Sequence, residues 1–469
     1  MTGLSRLELA VLTGLAASVA AMMLAASGAL YAPPYGEDAT FWGARAIRLA
    51  AGEIAGEHPP AWPAVVALVA GLTGLDVGRA GQMLAITAFS LFPPTLAIAA
   101  AAWSDGPDAK SVARWAGWTS LALPNLAAWA GRVEPTTALV WLAVAAAAVG
   151  HPRAGTFAAA FAAFACGAMP LVKENGLLLG AAVAAAIAYA RRADRGVMAA
   201  AWSVGLVAAL AVLALGGAPA GERTALPFAD ATAAVWSGRL PAAMASPEVP
   251  SVWIPRALVH AIRPESHPLT RALALSGIHA LRLLAIGGPW FGLGFAAIWA
   301  LWREGRLGQP LPVLGVALLA TTLPGFAIVV QGRHVQPGLL GAVLLLACAA
   351  RALPAGVRVA ALACASVWGA ARLLRQEVPH ASFVARCASA EVDALAAARA
   401  HAGDAVCGRD AWVTFRTGRP AHCTDERWEI RASHRAARPR GTDAPRPHAD
   451  ARRLGTFACR GELWLVPPP

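Results

Sequence analysis

Charge is what this sequence has least of. Of 469 residues, 14% are charged and 57% hydrophobic, with a mean hydropathy of +0.54, whereas a soluble domain runs at roughly 25% charged and about 45–50% apolar. That balance excludes an ordinary soluble globular protein. It also excludes disorder over most of the chain, because disordered segments are polar. Lysine is nearly missing: Lys110 and Lys173 stand alone, so the basic side is almost all arginine. Basic residues number 39 against 27 acidic ones, for a net charge of +12 and a pI near 10.4. Those arginines are scattered between apolar blocks and form no basic stripe, which excludes a nucleic-acid partner. No internal repeat is present, and no CxxC pair with metal-ligand spacing, which disfavours a zinc centre.

What the chain does have is long apolar runs. A bilayer core of about 30 Å takes about 20 apolar residues as a helix. Runs bounded by charge, Pro or Gly occupy 7–30, 80–103, 112–130, 135–149, 155–171, 176–190, 197–216, 281–302, 311–330, 335–350 and 357–374. They predict an all-α polytopic membrane protein of about eleven transmembrane helices. The segment 59–75 is apolar but short and proline-broken, and reads as an interfacial helix, with a further span as the alternative. The first run follows Arg6 in the manner of a signal peptide, yet it is long enough to span and is kept as the first helix.

Loop charges then set orientation, since cytoplasmic loops are enriched in Lys and Arg. With the N-terminus in the cytoplasm, Lys110, Arg114, Arg153, Arg191, Arg192, Arg195, Arg303, Arg306, Arg351 and Arg358 all fall on that side. Facing outward are a first loop, 31–79, with interfacial helices; corners at 132–134, Lys173 and 331–334; a long loop, 218–280; and the tail. The long loop carries Trp236, Trp253, His260 and His267, and reads equally as a lid or as an interfacial belt. The expectation is a multi-pass protein of the cytoplasmic (inner) membrane whose site and C-terminus are extracytoplasmic.

From about 375 the chain turns polar and Arg-rich. Residues 1–374 are thus expected to form the membrane domain, and 375–469 a small soluble α/β domain on the outer side. Within it 391–402 has helical composition, 411–415 and 463–466 are short β-type runs, and 431–453 reads as a loose excursion. Cys387, Cys407, Cys423 and Cys459 lie in this tail. Four cysteines allow three pairings in an oxidising compartment, or four free thiols. Cys166, Cys348 and Cys364 sit in apolar runs and read as packing residues.

An ionisable group at the edge of a span is costly, so each outward-facing one is a functional candidate. Glu37 and Asp38 follow the first run and open a helix whose next turns carry Arg45 and Arg48. At 3.6 residues per turn Asp38, Phe41 or Trp42, Arg45 and Arg48 share one face. An acid beside two cations on an interfacial helix suits a phosphate head group with a carboxylate next to it. The plain alternative is a helix-start acid with snorkelling arginines. His58 stands at the mouth of the proline-led segment Glu57-His58-Pro59-Pro60-Ala61-Trp62-Pro63, Glu134 closes the corner Gly131-Arg132-Val133-Glu134-Pro135, and Lys173-Glu174 follows Pro170. For the last two, an ion pair at a helix end is the simpler reading.

Taken in order, these elements, together with Gln331-Gly332-Arg333-His334-Val335-Gln336-Pro337 and the turn Thr417-Gly418-Arg419-Pro420, resemble the membrane glycosyltransferases of the GT-C superfamily. The resemblance is to the bacterial branch related to protein O-mannosyltransferases (glycosyltransferase family 39) and to lipid A aminoarabinose or galacturonic acid transferases. It covers 7–190 and returns at 333–337 and 417–420. It implies transfer of a sugar from a polyprenyl-phosphate donor to a lipid, glycan or protein acceptor at the outer face, with inversion. By the same resemblance Asp38 is the general base, with Glu37 as alternate because many relatives read Asp-Glu. Glu134 is the second-loop acid, which orients the acceptor or a divalent metal such as Mg or Mn shared with Asp38; no other cofactor is implied. His58 and Glu174 become substrate-positioning groups. Arg333 matches an Arg that precedes an aromatic in relatives, a place His334 fills here. As the donor phosphate leaves it gains charge, so Arg45, Arg48, Lys173 and Arg333 are the candidates to hold it. A transporter or lipid flippase is the rival reading; it would favour two similar halves or charges near the bilayer midplane, whereas here the charges gather at one face. A scaffold whose acids merely cap helices is a second rival.

Overall fold

In a bilayer a backbone satisfies itself only as helices or a closed barrel, and the computed structural model of this chain is helical. It describes residues 4–27, 37–53, 59–105, 108–123, 135–215, 255–262, 265–323, 335–350, 352–372, 374, 395–396, 429–434, 450, 452–457 and 461–466. The helices are α1 (Arg6–Ser27), α2 (Glu37–Ala50), α3 (Ala61–Thr73), α4 (Val77–Trp103), α5 (Ala109–Ser120), α6 (Thr136–Val149), α7 (Thr156–Ala168), α8 (Gly176–Ala190), α9 (Arg195–Leu215), α10 (Arg256–Ala261), α11 (Pro268–Gly287), α12 (Pro289–Arg303), α13 (Pro310–Ala320), α14 (Gln336–Ala349) and α15 (Ala355–Arg372). Among the described residues three helices are long and apolar enough to cross a membrane, Val77–Trp103, Arg192–Leu215 and Pro268–Gly287, with several shorter apolar helices beside them.

Most expected runs become helices where composition places them; 176–190 is α8 residue for residue. The short segment 59–75 holds α3, which ends where Gly74 enters the left-handed region at φ 70° and donates to the Ala70 carbonyl. At about 1.5 Å per residue α3 is too short to cross the bilayer core. Three expectations need correction. The run 281–302 is two helices, because Gly288 turns the chain at φ 51° and Pro289 lacks the N–H that would continue α11. The long loop 218–280 carries α10 and most of α11, and its His267 is the N-cap of α11, accepting from the Leu269 amide at 3.3 Å. Cys364 is exposed, unlike the buried Cys166 and Cys348.

Packing relies on small residues. A Cβ on Gly167 of α7 would run into the Trp202 carbonyl of α9, and one on Gly205 of α9 into the Phe164 carbonyl of α7. Gly341 of α14 meets the Gly315 carbonyl of α13 in the same way. Close backbone approach of this kind is how helices associate where lipid removes any hydrophobic drive between them. The outward surface is apolar: Phe157, Leu215, Val207 and Phe295 are all exposed.

Three of the arginines that the loop-charge argument groups together, Arg153, Arg191 and Arg358, meet helix ends on a common side. Arg153 donates to the Ala102 carbonyl at 2.9 Å and the Ser104 carbonyl at 3.2 Å, at the end of α4. Arg191 reaches the Pro152 and Ala154 carbonyls, the Thr156 hydroxyl at 3.2 Å and Asp194 at 2.6 Å. Tyr189 donates to the Gly308 carbonyl at 2.9 Å, and Arg358 to the Ala350 carbonyl at 2.8 Å. Helix C-termini leave carbonyls without intrahelical partners, and a guanidinium fork supplies donors for them.

In the tail, β1 (Glu429–His434), β2 (Arg452–Phe457) and β3 (Gly461–Val466) form an antiparallel sheet in the order β1-β3-β2. Glu429 lies opposite Val466, and the β2–β3 ladder has an irregularity between Arg453 and Gly455. The expected strand 463–466 is part of β3. The excursion expected at 431–453 is corrected, since β1 occupies its first residues. Residues 395–396, within the expected helix 391–402, are helical. The strand expected at 411–415 and the four tail cysteines lie outside the described residues.

Candidate active site

The end of the bundle opposite the arginines collects the candidate site. There α2 packs its Trp42 and Ala46 with Trp62 and Val66 of α3, Ala80 and Ala88 of α4 and Ala138 of α6, and Val172 joins the same cluster. The small residues Gly43, Ala44 and Ala46 leave room for this, and the whole turn from 42 to 47 is buried. Burial of this turn speaks against the plain alternative of snorkelling arginines for Arg45. Arg45 is 6% exposed and Arg48, one turn on, half-buried. A guanidinium carried into a packed end of an apolar bundle is costly unless something there needs its charge.

Val172 brings its neighbour Lys173 to the same place. The short 3-10 turn Met169–Leu171 ends α7, and the chain doubles back so tightly that a Cβ on Gly176 would strike the Met169 carbonyl. This fold-back buries Lys173 to 6% exposure and sets its Nζ 2.8 Å from the Thr136 hydroxyl, at the first residue of α6. Lys173 thus contacts a hydroxyl on another helix. Glu174 is half-buried beside it. Next to this cluster Asp76 caps α4 by accepting from the Arg79 amide at 2.9 Å, and Arg79 donates to Gln82 at 2.9 Å.

Of the sequence candidates, Arg45 and Arg48 lie on α2 and Lys173 and Glu174 follow Val172, and Trp42, Ala46 and Val172 share one apolar cluster. Glu37 and Asp38 are placed as the first two residues of α2. His58, Glu134 and Arg333 lie outside the described residues. A metal shared by Asp38 and Glu134 would rest on side chains that are not described. Among the described residues no group of three or more His, Cys, Asp or Glu could hold an ion.

Sequence reasoning missed four buried polar residues. Gln336 begins α14 at 0% exposure, Arg372 ends α15, and His279 and Arg282 lie on the inward stripe of α11, both at 0%. Arg372 donates to the Ala285 carbonyl of α11 at 2.7 Å. The signal was available: 271–287 is an apolar run holding three basic residues, two of them three apart, the spacing of one helix face.

No protein-family model matches the sequence, and no curated protein matches it. Solved structures do show similarity. The crystal structure of ArnT from Cupriavidus metallidurans bound to undecaprenyl phosphate aligns with a TM-score of 0.52 and 15% identity, over 87% of this chain and 85% of that chain. The apo state of the same ArnT aligns over the same shares with 16% identity and a TM-score of 0.40. At such identity the likeness is one of fold, and it agrees with the GT-C-like architecture expected from the order of the motifs.

Proposed function

We propose that this chain is a multi-pass membrane glycosyltransferase that takes a sugar from a polyprenyl-phosphate donor and delivers it to a hydroxyl of a lipid, glycan or protein acceptor at the outer face of the cytoplasmic membrane. The observation that carries this reading is the pair of buried cations, Arg45 and Lys173, at one end of an apolar bundle whose fold is that of ArnT, a protein solved with undecaprenyl phosphate bound.

The chemistry asks for few groups. The acceptor oxygen attacks the anomeric carbon from the face opposite the phosphate, and the bond from that carbon to the phosphate oxygen breaks. Polyprenyl phosphate leaves with the electron pair, and the hydroxyl proton passes to a carboxylate. Asp38 is the carboxylate we assign to this step, with Glu37 as alternate; a positioned base contributes about 10²–10⁴-fold. Attack on one face with departure from the other inverts the centre, as in inverting glycosidases. Charge builds on the phosphate as it leaves, so Arg45, Arg48, Lys173 and Arg333 stabilise the transition state more than the bound donor. Burial strengthens them, since a charge interaction gains as water is excluded. His58, Glu134 and Glu174 are assigned to positioning the substrates. A lipid-linked donor also accounts for the architecture, because the reacting sugar must sit at the end of the bundle while the polyprenyl chain stays in lipid.

The test is transfer of labelled sugar from polyprenyl phosphate in membranes containing the wild type, Asp38→Asn or Glu37→Gln. The expected result is labelling by the wild type and a loss of about 10²–10⁴-fold in Asp38→Asn. Labelling by the wild type that stays at the level of empty membranes across mannose, galacturonic acid and aminoarabinose donors would overturn the proposal.

A further inference from the structure

The inward stripe of α11 is built from Leu275, Ile278, His279, Arg282, Leu283 and Ile286, all buried, while Leu273 and Leu284 face outward. Four of these six are apolar and pack as such; Leu283 and Ile286 belong to the main core with Trp290 and Leu339. His279 is different. It is 0% exposed, and among the described residues neither Nδ1 nor Nε2 has a hydrogen-bond partner. A buried polar group left unsatisfied is destabilising, and a leucine at this place would continue the stripe at no such cost. Polar residues kept on the inward face of an apolar membrane helix mark a ligand path or site.

The position of the helix says which site. Its last turn, two turns beyond His279, reaches the end of the bundle opposite the arginine forks, where Arg372 donates to the Ala285 carbonyl and Gly287 lies against Leu339, one turn into α14 from the buried Gln336. The chemistry of the ring says which ligand. A neutral imidazole offers one donor and one acceptor, so a ligand that satisfies both nitrogens must both accept and donate. A phosphate dianion only accepts. A sugar hydroxyl does both.

We infer that His279 is a sugar-binding residue, whose two free ring nitrogens are taken up by hydroxyls of the donor's sugar and so contribute to the choice of sugar. The inference rests on the proposed function and deepens it: the cations hold the phosphate, the carboxylate takes the proton of the acceptor hydroxyl, and His279 holds the remaining hydroxyls of the sugar being moved.

The experiment is native mass spectrometry of the purified full chain in nanodiscs, offered undecaprenyl phosphate and undecaprenyl phosphate bearing mannose, galacturonic acid or aminoarabinose. The wild type is expected to prefer at least one sugar-bearing lipid to the bare one. His279→Leu is expected to lose about tenfold of that preference, to bind undecaprenyl phosphate as the wild type does, and to melt no lower than the wild type without lipid. His279→Gln, which keeps a donor and an acceptor, restores part of the preference. A structural histidine would give the reverse: a lower melting point in His279→Leu and an unchanged preference. Either of those results overturns the inference, as does a wild type that binds bare and sugar-bearing lipids alike, and all three leave the glycosyltransferase reading standing. A wild type that retains none of the four lipids overturns both.

Discussion

Lys173 offers the sharpest separation between a site residue and a packing residue. The residue is 6% exposed, and its ammonium lies 2.8 Å from the Thr136 hydroxyl. Replacement by methionine keeps the length and removes the charge. On the structural side the thioether no longer carries a buried charge's desolvation cost, and the Thr136 contact that is lost is worth about 1 kcal/mol. The melting point should therefore move by only a few degrees. On the functional side a charge-assisted contact to a phosphate is worth about 1.5–3 kcal/mol, which corresponds to a loss of roughly 10- to 150-fold in kcat/KM. Thr136→Val removes the hydroxyl alone and should lower kcat/KM less than tenfold. The assay is sugar transfer from labelled polyprenyl phosphate, normalised to folded protein by size exclusion in detergent. Should Lys173→Met keep wild-type kcat/KM, or lose activity only in step with folded protein, the phosphate role is refuted and Lys173 is a structural lysine.

Other consequences follow from packing and caps. Arg191→Gln removes donors to four acceptors at the junction of α6, α7 and α8, and should destabilise by about 2–4 kcal/mol; a detergent melting curve that coincides with the wild type's would contradict this. Gly205→Leu pushes α9 off α7 and should abolish the folded, monodisperse protein, whereas Gly14→Ala, with nothing within 4 Å of the added carbon, should be neutral or stabilising by about 0.5–1 kcal/mol. Equal yields for the two variants would refute the close-approach account. His151, in the turn after α6, has its pKa held below the ordinary histidine value, first by burial and then by the nearby Arg153 guanidinium, and its Nδ1 accepts from the Arg153 amide at 3.2 Å. The unfolded chain takes up a proton there that the folded one refuses, so this contribution is present above about pH 6.5 and is lost as pH falls below it. His151→Asn should flatten that part of the melting-point profile between pH 7.5 and 5.5, and a slope identical to the wild type's would argue against it.

Much of the fold is legible in hydropathy because apolar length is a physical requirement of the bilayer; 176–190 and 135–149 became α8 and α6 with almost no shift. The failures have specific causes. A hydropathy sum over 281–302 does not register that Gly288 and Pro289 act on dihedral angles, so two helices read as one. Arg271, His279 and Arg282 lower the average of 268–287, so an inward-facing helix read as loop. The strand β1 has little apolar character, and its pairing with β3 is a long-range choice that local composition does not carry. In the site, the spacing of Arg45 and Arg48 was readable while their burial was not, because the residues that cover α2 come from α3, α4 and α6.

The arginine forks at the far end have a consequence for biogenesis. The arginines that the loop-charge rule reads as topology signals are also ones that cap neighbouring helices: Arg153 on α4, Arg191 across the α6–α7 turn, Arg358 on α14. On that reading, insertion and assembly share a checkpoint. A hairpin threaded the wrong way would not merely be misoriented; it would carry its guanidinium to the wrong leaflet and leave its neighbours' terminal carbonyls bare, so the error would surface as a protein that fails quality control, and a population of inverted but stable molecules would not accumulate.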